Sequence, residues 1–240
     1  VNQTVIKQQN DLAAKKLNIE YKYIVQKTTS RENIKKIQLE EADLGPIYGY
    51  QWRNFDQHYG KVDFHESEAW INESNGVYKG FDQLKSIVDK LKKTPYDRRM
   101  VCSAWNPNQM DMMALMPCHW GWNVVVYGDK LNLIWHQRSC DLMLGVGANI
   151  ASYGLLLMLL CKESGLKPGE LVGTLADCHI YDNLMDNAQE LIKREEKELP
   201  TITIKDKVDG TFSIFDWTWS DVEINGYDPH PPIKMGEVTV

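Results

Sequence analysis

The chain lacks an excess of positive charge, a long hydrophobic run and any internal repeat. Its net charge is −6 over 240 residues, so binding to nucleic acid through bulk charge is disfavoured and no nucleic-acid partner is expected. The longest strongly apolar run covers residues 155–161, well short of the roughly 20 residues that a membrane-spanning helix needs. No signal peptide opens the sequence. These absences predict a cytoplasmic protein without a membrane partner.

Paired cysteine motifs are missing as well. The chain has five cysteines, which is an odd number, and no two of them have the Cys-X-X-Cys spacing. They are Cys102, Cys118, Cys140, Cys161 and Cys178. A disulfide framework and a zinc site are therefore not expected. We predict a protein that holds no metal and works in a reducing compartment.

The residues that are present are typical of a folded protein with a full core. Hydrophobic residues make up 43% of the chain, charged residues make up 25%, and there are eight tryptophans. A chain of this length buries enough apolar surface for one domain, so we expect a single domain over residues 1–240. Residues 56–79 are polar and contain two glycines, which predicts a surface loop inserted into that domain.

Apolar periodicity predicts three helices, which start near residues 81, 152 and 184. In the first of these, the apolar residues recur at helical spacing; they are Phe81, Leu84, Ile87, Val88 and Leu91. Pro95 is expected to end this helix. The nearly all-apolar residues 152–164 predict a buried helix that stops at Gly165, and residues 184–198 predict an amphipathic helix.

Short runs of β-branched and apolar residues predict strands over residues 101–105, 124–127, 131–136, 201–205 and 212–215. Gly128 and Asp129 separate the second strand from the third, which is the signal of a hairpin. An Asp-Gly pair lies between the last two strands in the same way. Together with the helices, this pattern predicts an α+β fold, with a mainly antiparallel sheet and helices packed on it.

Cys118 lies in the sequence Met-Pro-Cys-His-Trp, residues 116–120. A cysteine is often just a small buried hydrophobic side chain. Here Pro117 and His119 flank it, which is a kinked and polar setting rather than the interior of a strand. A neighbouring guanidinium group would favour the reactive thiolate, so Cys118 is a candidate nucleophile.

Three arginines and a serine are candidates for binding phosphate. Arg98 and Arg99 are adjacent and can equally form an ordinary surface charge pair. Arg138 and Ser139 follow an apolar strand, a position from which a guanidinium can grip phosphate or carboxylate with two hydrogen bonds. Combined, these four residues indicate a phosphate site on an acidic protein.

Further candidates are polar residues that can bind a nucleoside. His179 and Tyr181 are predicted on one face of a strand, where they can bind a ribose hydroxyl, although His179 can also be purely structural. Asn149 carries both a donor and an acceptor, so it can pair with the edge of a uracil base. Gly145 and Gly147 precede it, but their spacing is not that of a dinucleotide-binding loop.

Seven stretches that follow one another in order resemble the thymidylate synthase family. They are residues 43–53 (DLGPIYGYQWR), 97–107 (DRRMVCSAWNP), 113–119 (MALMPCH), 137–141 (QRSCD), 149–153 (NIASY), 177–181 (DCHIY) and 226–231 (GYDPHP). The resemblance covers roughly residues 43–240. It implies the family's mixed, mainly antiparallel sheet and a folate-dependent transfer of a one-carbon unit to C5 of dUMP.

The resemblance assigns catalytic roles to five residues. Cys118 is the nucleophile that attacks C6 of dUMP, and Tyr48 helps to remove the C5 proton through water. His119 belongs to the polar network near O4 of the base. Arg138 holds the phosphate and lowers the pKa of the thiol, while Asn149 reads the uracil edge.

It also assigns residues to the two ligands. Arg98 and Arg99 are implied to reach the phosphate from the other subunit of a homodimer. The remaining residues of the dUMP site are Ser139, Asp141, His179 and Tyr181. The co-substrate is implied to be 5,10-methylenetetrahydrofolate, bound by Asp141, Gly145, Ala148 and Val240.

The chain departs from the family pattern on the folate side. Gly147 and Ala148 replace the family's Pro-Phe, which removes an aromatic wall from the pterin pocket. The family's phosphate-loop arginine and essential glutamate have no counterpart in residues 1–20, so we expect that the N-terminal family segment is missing.

A more open pterin pocket lets water reach the exocyclic methylene that remains on C5. The alternative product is then 5-hydroxymethyl-dUMP, and the family favours methylation over it. A nucleotide-binding paralogue without turnover is a third possibility.

Overall fold

The computed structural model describes residues 43–57, 59 and 80–235. The predicted inserted loop lies almost entirely outside these residues, as do Val240 and the N-terminal region. The chain divides into two compact units. The first comprises Val1–Ile87 and Val101–Gly121, and the second comprises Val88–Met100 and Trp122–Val240. The expected single domain stays a prediction.

The described residues form four α-helices, which are α1 (Tyr48–Asn54), α2 (Gln83–Lys93), α3 (Val146–Ser164) and α4 (Met185–Leu191). Short 3₁₀ helices cover Pro107–Met112, Asp182–Leu184 and Trp219–Asp221. The strands are β1 (Val101–Ser103), β2 (His119–Tyr127), β3 (Lys130–Asp141), β4 (Lys167–His179), β5 (Thr201–Ile204) and β6 (Val222–Asn225). They form a four-stranded sheet in the order β1-β2-β3-β4 and a two-stranded sheet of β5 and β6.

In the first unit, α1 and the 3₁₀ helix after β1 are held together by buried polar contacts. The approach of the chain to α1 requires glycine at position 45, where φ is +79° and a Cβ would lie 1.9 Å from the carbonyl oxygen of Met112. The backbone N–H of Ala114 also donates to the carbonyl of Leu44 at 3.0 Å. The segment before α1 is therefore fastened to the segment that leads to Cys118.

In the second unit, β3 is the central strand, and alternate side chains along it point into the core. These buried side chains are Leu131, Leu133, Trp135 and Gln137. Helix α3 packs against both β3 and β4 and buries Tyr153, Leu156 and Leu160, among others. By length and composition alone, α3 could also span a membrane. A core helix of a folded protein passes the same test, and α3 packs on β3 and β4 with about a third of its residues buried.

The strand pairings confirm the predicted α+β fold with a mixed, mainly antiparallel sheet. Strands β2 and β3 form a hairpin through Gly128, whose φ is +63°, and Asp129. Strand β5 pairs antiparallel with β6. Strand β4 pairs parallel with β3, with Trp135 opposite Gly173 and Asp141 opposite His179. The parallel pair brings the carboxyl ends of β3 and β4 to the same edge of the sheet.

Several element predictions are confirmed, and others are wrong in their limits. The helix before Pro95, the hairpin at Gly128 and the helix ending at Gly165 are all present. Helix α3 begins six residues earlier than predicted, and α4 is shorter than the predicted helix over residues 184–198. The strand predicted over residues 212–215 is wrong, because the partner of β5 is β6.

Candidate active site

The segment around Cys118 enters β2 in the first unit. Cys118 is a free, half-buried cysteine in a bend one residue before the strand. Its backbone N–H donates a hydrogen bond to the hydroxyl oxygen of Tyr48 at 3.1 Å. Tyr48 is the first residue of α1 and has a φ of +20°, a value that residues other than glycine seldom adopt. Unusual backbone geometry of this kind concentrates at functional sites.

His119 lies against the same tyrosine. The rings of Tyr48 and His119 stack with centroids 4.1 Å apart and planes inclined by 16°. Burial lowers the pKa of His119 from 6.5 to about 4, because the charged imidazolium loses its hydration there. The imidazole is therefore neutral at neutral pH, with one nitrogen that donates and one that accepts. Tyr48, Cys118 and His119 form one cluster, as expected for residues of one site.

A network of buried amides fixes the helix that carries Tyr48. The side-chain amide of Gln51, one turn further along α1, donates to the carbonyl of Pro46 at 2.7 Å and to Oε1 of Gln109 at 2.6 Å. Asn106 donates to Oε1 of Gln51 at 3.2 Å. All three amides are buried, so each lost bond would leave a polar group without water. Gln51 and Asn106 lie within two of the family-like stretches, but the resemblance assigned them no role.

The proposed phosphate and ribose residues lie in the second unit, at the carboxyl ends of β3 and β4. Ser139 is opposite Asp177 and Asp141 is opposite His179 in the parallel register. The backbone N–H of Leu142 donates to the carbonyl of His179 at 3.0 Å and extends this pairing. Arg138 precedes Ser139 on β3 and is half-buried. The carboxyl ends of parallel strands are the usual place for ligands in such sheets.

His179 and Tyr181 are close together, but they do not share a strand. Strand β4 ends at His179, and Tyr181 lies two residues beyond it, before the 3₁₀ helix Asp182–Leu184. The prediction that both lie on one face of a strand is therefore wrong. Their rings nonetheless meet edge to face, with centroids 5.2 Å apart. The backbone at Tyr181 is still extended, and both side chains reach the same place.

Asp141 closes β3 and organises the turn into α3. One carboxylate oxygen of Asp141 accepts backbone N–H groups from Met143 at 2.9 Å and from Leu144 at 3.0 Å. Gly145 caps the helix, and the half-buried Ala148 follows in its first turn. These residues are neighbours in space, as the predicted folate site requires. Val240, which was assigned to the same site, lies outside the described residues.

Asn149 is held by a residue that the motifs left without a role. Asn149 lies in the first turn of α3, and its Oδ1 accepts a hydrogen bond from the side-chain amide of Gln137 at 3.1 Å. Gln137 is only 3% exposed. The signal that points to it is a polar residue at an inward position of an alternating strand, since buried amides need partners.

Arg98 and Arg99 are exposed in the second unit, just before β1. The side chain of Arg99 is 84% exposed and lies 3.5 Å from the carboxylate of Asp97. An exposed ion pair of this kind holds a side chain weakly. Both guanidinium groups are therefore accessible to a phosphate or to another subunit.

Metal-binding clusters were searched for in residues 43–57, 59 and 80–235. Within these ranges, no group of three or more His, Cys, Asp and Glu side chains is arranged to hold a metal ion. All five cysteines lie in the described part of the chain and are free.

Comparison with known proteins identifies the class to which this fold and site belong. The family model described as thymidylate synthase matches residues 6–240. The chain therefore belongs to the thymidylate synthase family. The match also extends upstream of residue 43, where the recognisable motifs begin.

Named relatives agree with this membership. The chain is 42% identical to the thymidylate synthase of Mycoplasma pneumoniae over 200 residues, which are 83% of this chain and 60% of that protein. It is 41% identical to the human thymidylate synthase over 196 residues, 82% of this chain and 58% of the human protein. With the thymidylate synthase of varicella-zoster virus, strain Dumas, it shares 38% identity over 225 residues, 94% of this chain and 70% of the viral protein. The chain thus spans about three fifths of the bacterial and human relatives.

Proposed function

We propose that the protein transfers a one-carbon unit from 5,10-methylenetetrahydrofolate to C5 of dUMP and produces thymidylate. Family membership supports this, as do the names of the relatives. The structural observation that carries the proposal is the cluster of Cys118, Tyr48 and His119. The hydroxyl of Tyr48 accepts from the backbone N–H of the free cysteine, and the ring of Tyr48 stacks on a neutral imidazole. The relatives give no support to the hydroxymethylase alternative.

Cys118 acts as the nucleophile in this proposal. Its thiolate sulfur forms a bond to C6 of dUMP, and the electron pair of the C5–C6 double bond moves toward C5 and O4. C5 then carries the negative character that accepts the new carbon. Loss of the C5 proton breaks the bond between the new carbon and its donor nitrogen and leaves an exocyclic methylene on C5. A hydride supplied by the reduced folate adds to this methylene, and the Cys118 sulfur departs from C6 as the C5–C6 double bond forms again. The hydroxyl of Tyr48, beside the nucleophile segment, is the group that assists proton removal through water.

The residues proposed to recognise dUMP are those near the carboxyl ends of β3 and β4, together with Asn149 of α3. Arg138 and Ser139 are proposed to bind the phosphate dianion, because a guanidinium makes charge-assisted hydrogen bonds to it. His179 and Tyr181, which contact each other, are proposed to bind the hydroxyl of the deoxyribose. Asn149 is proposed to pair with the uracil edge.

The residues around Asp141 fit a pterin. The backbone N–H groups of Met143 and Leu144 donate to Oδ1 of Asp141, and Oδ2 is proposed to accept from the N–H groups that a pterin ring presents. Gly145 and Ala148 are small and leave room beside this carboxylate. When it is bound, the reduced folate supplies the one-carbon unit and the hydride for methylation.

We further propose that the protein works as a homodimer in the cytoplasm. Arg98 and Arg99 are exposed and can therefore reach the phosphate bound by a second subunit. The five free cysteines are in keeping with a reducing compartment.

Release of tritium from [5-³H]dUMP tests this proposal on the intact protein. In the presence of methylenetetrahydrofolate, the wild type is expected to release tritium into water, and Cys118→Ala is expected to release none. If the wild type binds dUMP and releases no tritium, the protein is a nucleotide-binding paralogue and the catalytic proposal is wrong.

A further inference from the structure

The amide of Asn149 has two chemically different ends, and only one of them suits uracil. Uracil presents a carbonyl oxygen at C4, whereas cytosine presents an amino group there. An Asn amide that offers its NH₂ group to this position favours uracil, and one that offers its oxygen favours cytosine. The orientation of the amide, and not only the presence of Asn149, therefore decides which base is bound.

The contacts of Gln137 determine this orientation. The indole N–H of Trp135 can only donate, and it lies 3.3 Å from Oε1 of Gln137. Because this bond uses the oxygen of Gln137, its NH₂ group must face the other way. That group donates one hydrogen to the carbonyl of Ser139 at 2.9 Å and the other to Oδ1 of Asn149 at 3.1 Å. Both hydrogens and the oxygen of Gln137 are thus used.

The donating NH₂ group of Gln137 determines which atom of the Asn149 amide faces it. An NH₂ group cannot accept a hydrogen bond, so the atom of Asn149 that faces Gln137 must be its oxygen. The NH₂ group of Asn149 is then turned away from Gln137. Asn149 is half-buried rather than enclosed, so this NH₂ group can reach a ligand.

Two hydrogen bonds connect Trp135 through Gln137 to Asn149, and the indole of Trp135, where they begin, is held in place by its neighbours. Trp135 lies opposite Gly173 in the parallel pair, and a Cβ at Gly173 would come within 2.4 Å of the indole ring. The indole also stacks on Tyr153, with ring centroids 5.6 Å apart and an interplanar angle of 12°. Tyr153 is on α3, one turn after Asn149. Helix α3 therefore carries Asn149 and also, through Tyr153, contacts the indole of Trp135.

We propose that Gln137 and Trp135 are positioning residues that select uracil over cytosine by fixing the amide orientation of Asn149. This inference rests on the proposed function, since it assumes that Asn149 faces the base. The donor-only indole sets the orientation of Gln137, and Gln137 sets that of Asn149. Losing this constraint lets the Asn149 amide rotate, so that it accepts either base.

The test is the ratio of the dissociation constants of dCMP and dUMP, measured by calorimetry on the intact protein without folate. Gln137→Met removes the polar end at similar volume and is expected to lower this ratio about tenfold, the effect of one misoriented hydrogen bond. Trp135→Phe leaves Gln137 free to rotate and is expected to lower the ratio by a smaller factor. A general structural lesion weakens both nucleotides together and leaves the ratio unchanged.

Leu133→Val is the matched control, because Leu133 is buried on the same face of β3 and takes no part in the hydrogen bonds. It is expected to keep the wild-type ratio. The proposal is overturned if Gln137→Met folds and keeps this ratio, or if Leu133→Val lowers it equally. If Gln137→Met does not fold, the ratio is measured for Trp135→Phe, and an unchanged ratio in this variant overturns the proposal. A wild type that binds neither nucleotide contradicts the proposed function itself, whereas an unchanged ratio in a dUMP-selective protein contradicts this inference alone.

Discussion

The hydroxyl oxygen of Tyr48 lies 3.1 Å from the backbone nitrogen of Cys118 and accepts its hydrogen bond, although 70 positions separate the two residues in the chain. The phenol ring of Tyr48 also stacks on His119, the neighbour of Cys118. One tyrosine therefore contacts the nucleophile segment both through its hydroxyl and through its ring. This contact places a hydroxyl group able to take part in proton transfer at the backbone of the residue whose thiol begins the proposed reaction.

Tyr48→Phe separates these two contacts, since it removes the hydroxyl and keeps the stacking ring. We expect kcat to fall roughly 100-fold, the size of a lost proton-transfer group, while the dissociation constant of dUMP changes little. Steady-state kinetics and equilibrium binding measure the two effects. Tyr50→Phe is the matched control on the same helix, because the hydroxyl of Tyr50 donates to the carbonyl of Gln57 at 3.2 Å instead. A similar loss of kcat in both variants would show that the effect is only structural.

Cys118→Ala is expected to abolish turnover and to retain nucleotide binding. The thiol is the atom that bonds to C6, whereas the phosphate, ribose and base contacts come from other residues. Turnover and dUMP binding are measured side by side, with Cys178→Ser as the control at an exposed cysteine. Near wild-type turnover in Cys118→Ala is incompatible with the nucleophile assignment.

The half-buried His119 makes stability depend on pH. Its pKa is 6.5 when unfolded and about 4 when folded, so the unfolded state binds more protons between these values. Stability is therefore complete above about pH 6.5 and is lost as the pH falls toward about 4. Each pKa unit corresponds to about 1.4 kcal/mol, which limits the loss to about 3 kcal/mol.

This dependence is measured as the difference in free energy of unfolding between the wild type and His119→Asn, by urea titration at pH 7 and pH 4.5. The wild type is expected to lose more stability than the variant, because asparagine does not titrate. An equal loss of unfolding free energy in both proteins would rule out a His119 that stays neutral in the folded protein.

The proposed homodimer predicts complementation between two inactive variants. Cys118→Ala lacks the nucleophile, and the double variant Arg98→Ala/Arg99→Ala lacks the arginines that reach the second subunit. If they are mixed under conditions that exchange subunits, mixed dimers contain one complete site, and activity should reappear. Turnover is measured before and after exchange, with each variant exchanged with itself as the control. Continued inactivity in verified mixed dimers would argue against shared sites.

Some elements of the fold follow from local sequence, and others depend on distant partners. The helix ending before Pro95 and the hairpin at Gly128 have their signals within a few residues. Strand β4 contains Pro168, Gly169 and Gly173, which obscure any alternation, and it is stabilised by its parallel pairing with β3. The partner of β5 lies beyond two further turns, so the local Asp-Gly signal led to the wrong strand.

The candidate site shows the same division. Its motifs identified Cys118, Tyr48 and His119, and the structure brings these residues together. Motifs could not reveal that Gln137 bonds to Asn149, because the two residues meet only when α3 packs on β3. Motifs likewise did not reveal that the rings of His179 and Tyr181 meet edge to face just beyond the end of β4.

The identity of the product tests the central proposal most directly. The intact protein is incubated with dUMP and methylenetetrahydrofolate, and the nucleotide and folate products are identified by mass spectrometry. We expect thymidylate and dihydrofolate in equal amounts, and neither product with Cys118→Ala. A nucleotide heavier than thymidylate by one oxygen, formed together with tetrahydrofolate, would contradict methylation and identify a hydroxymethylase instead.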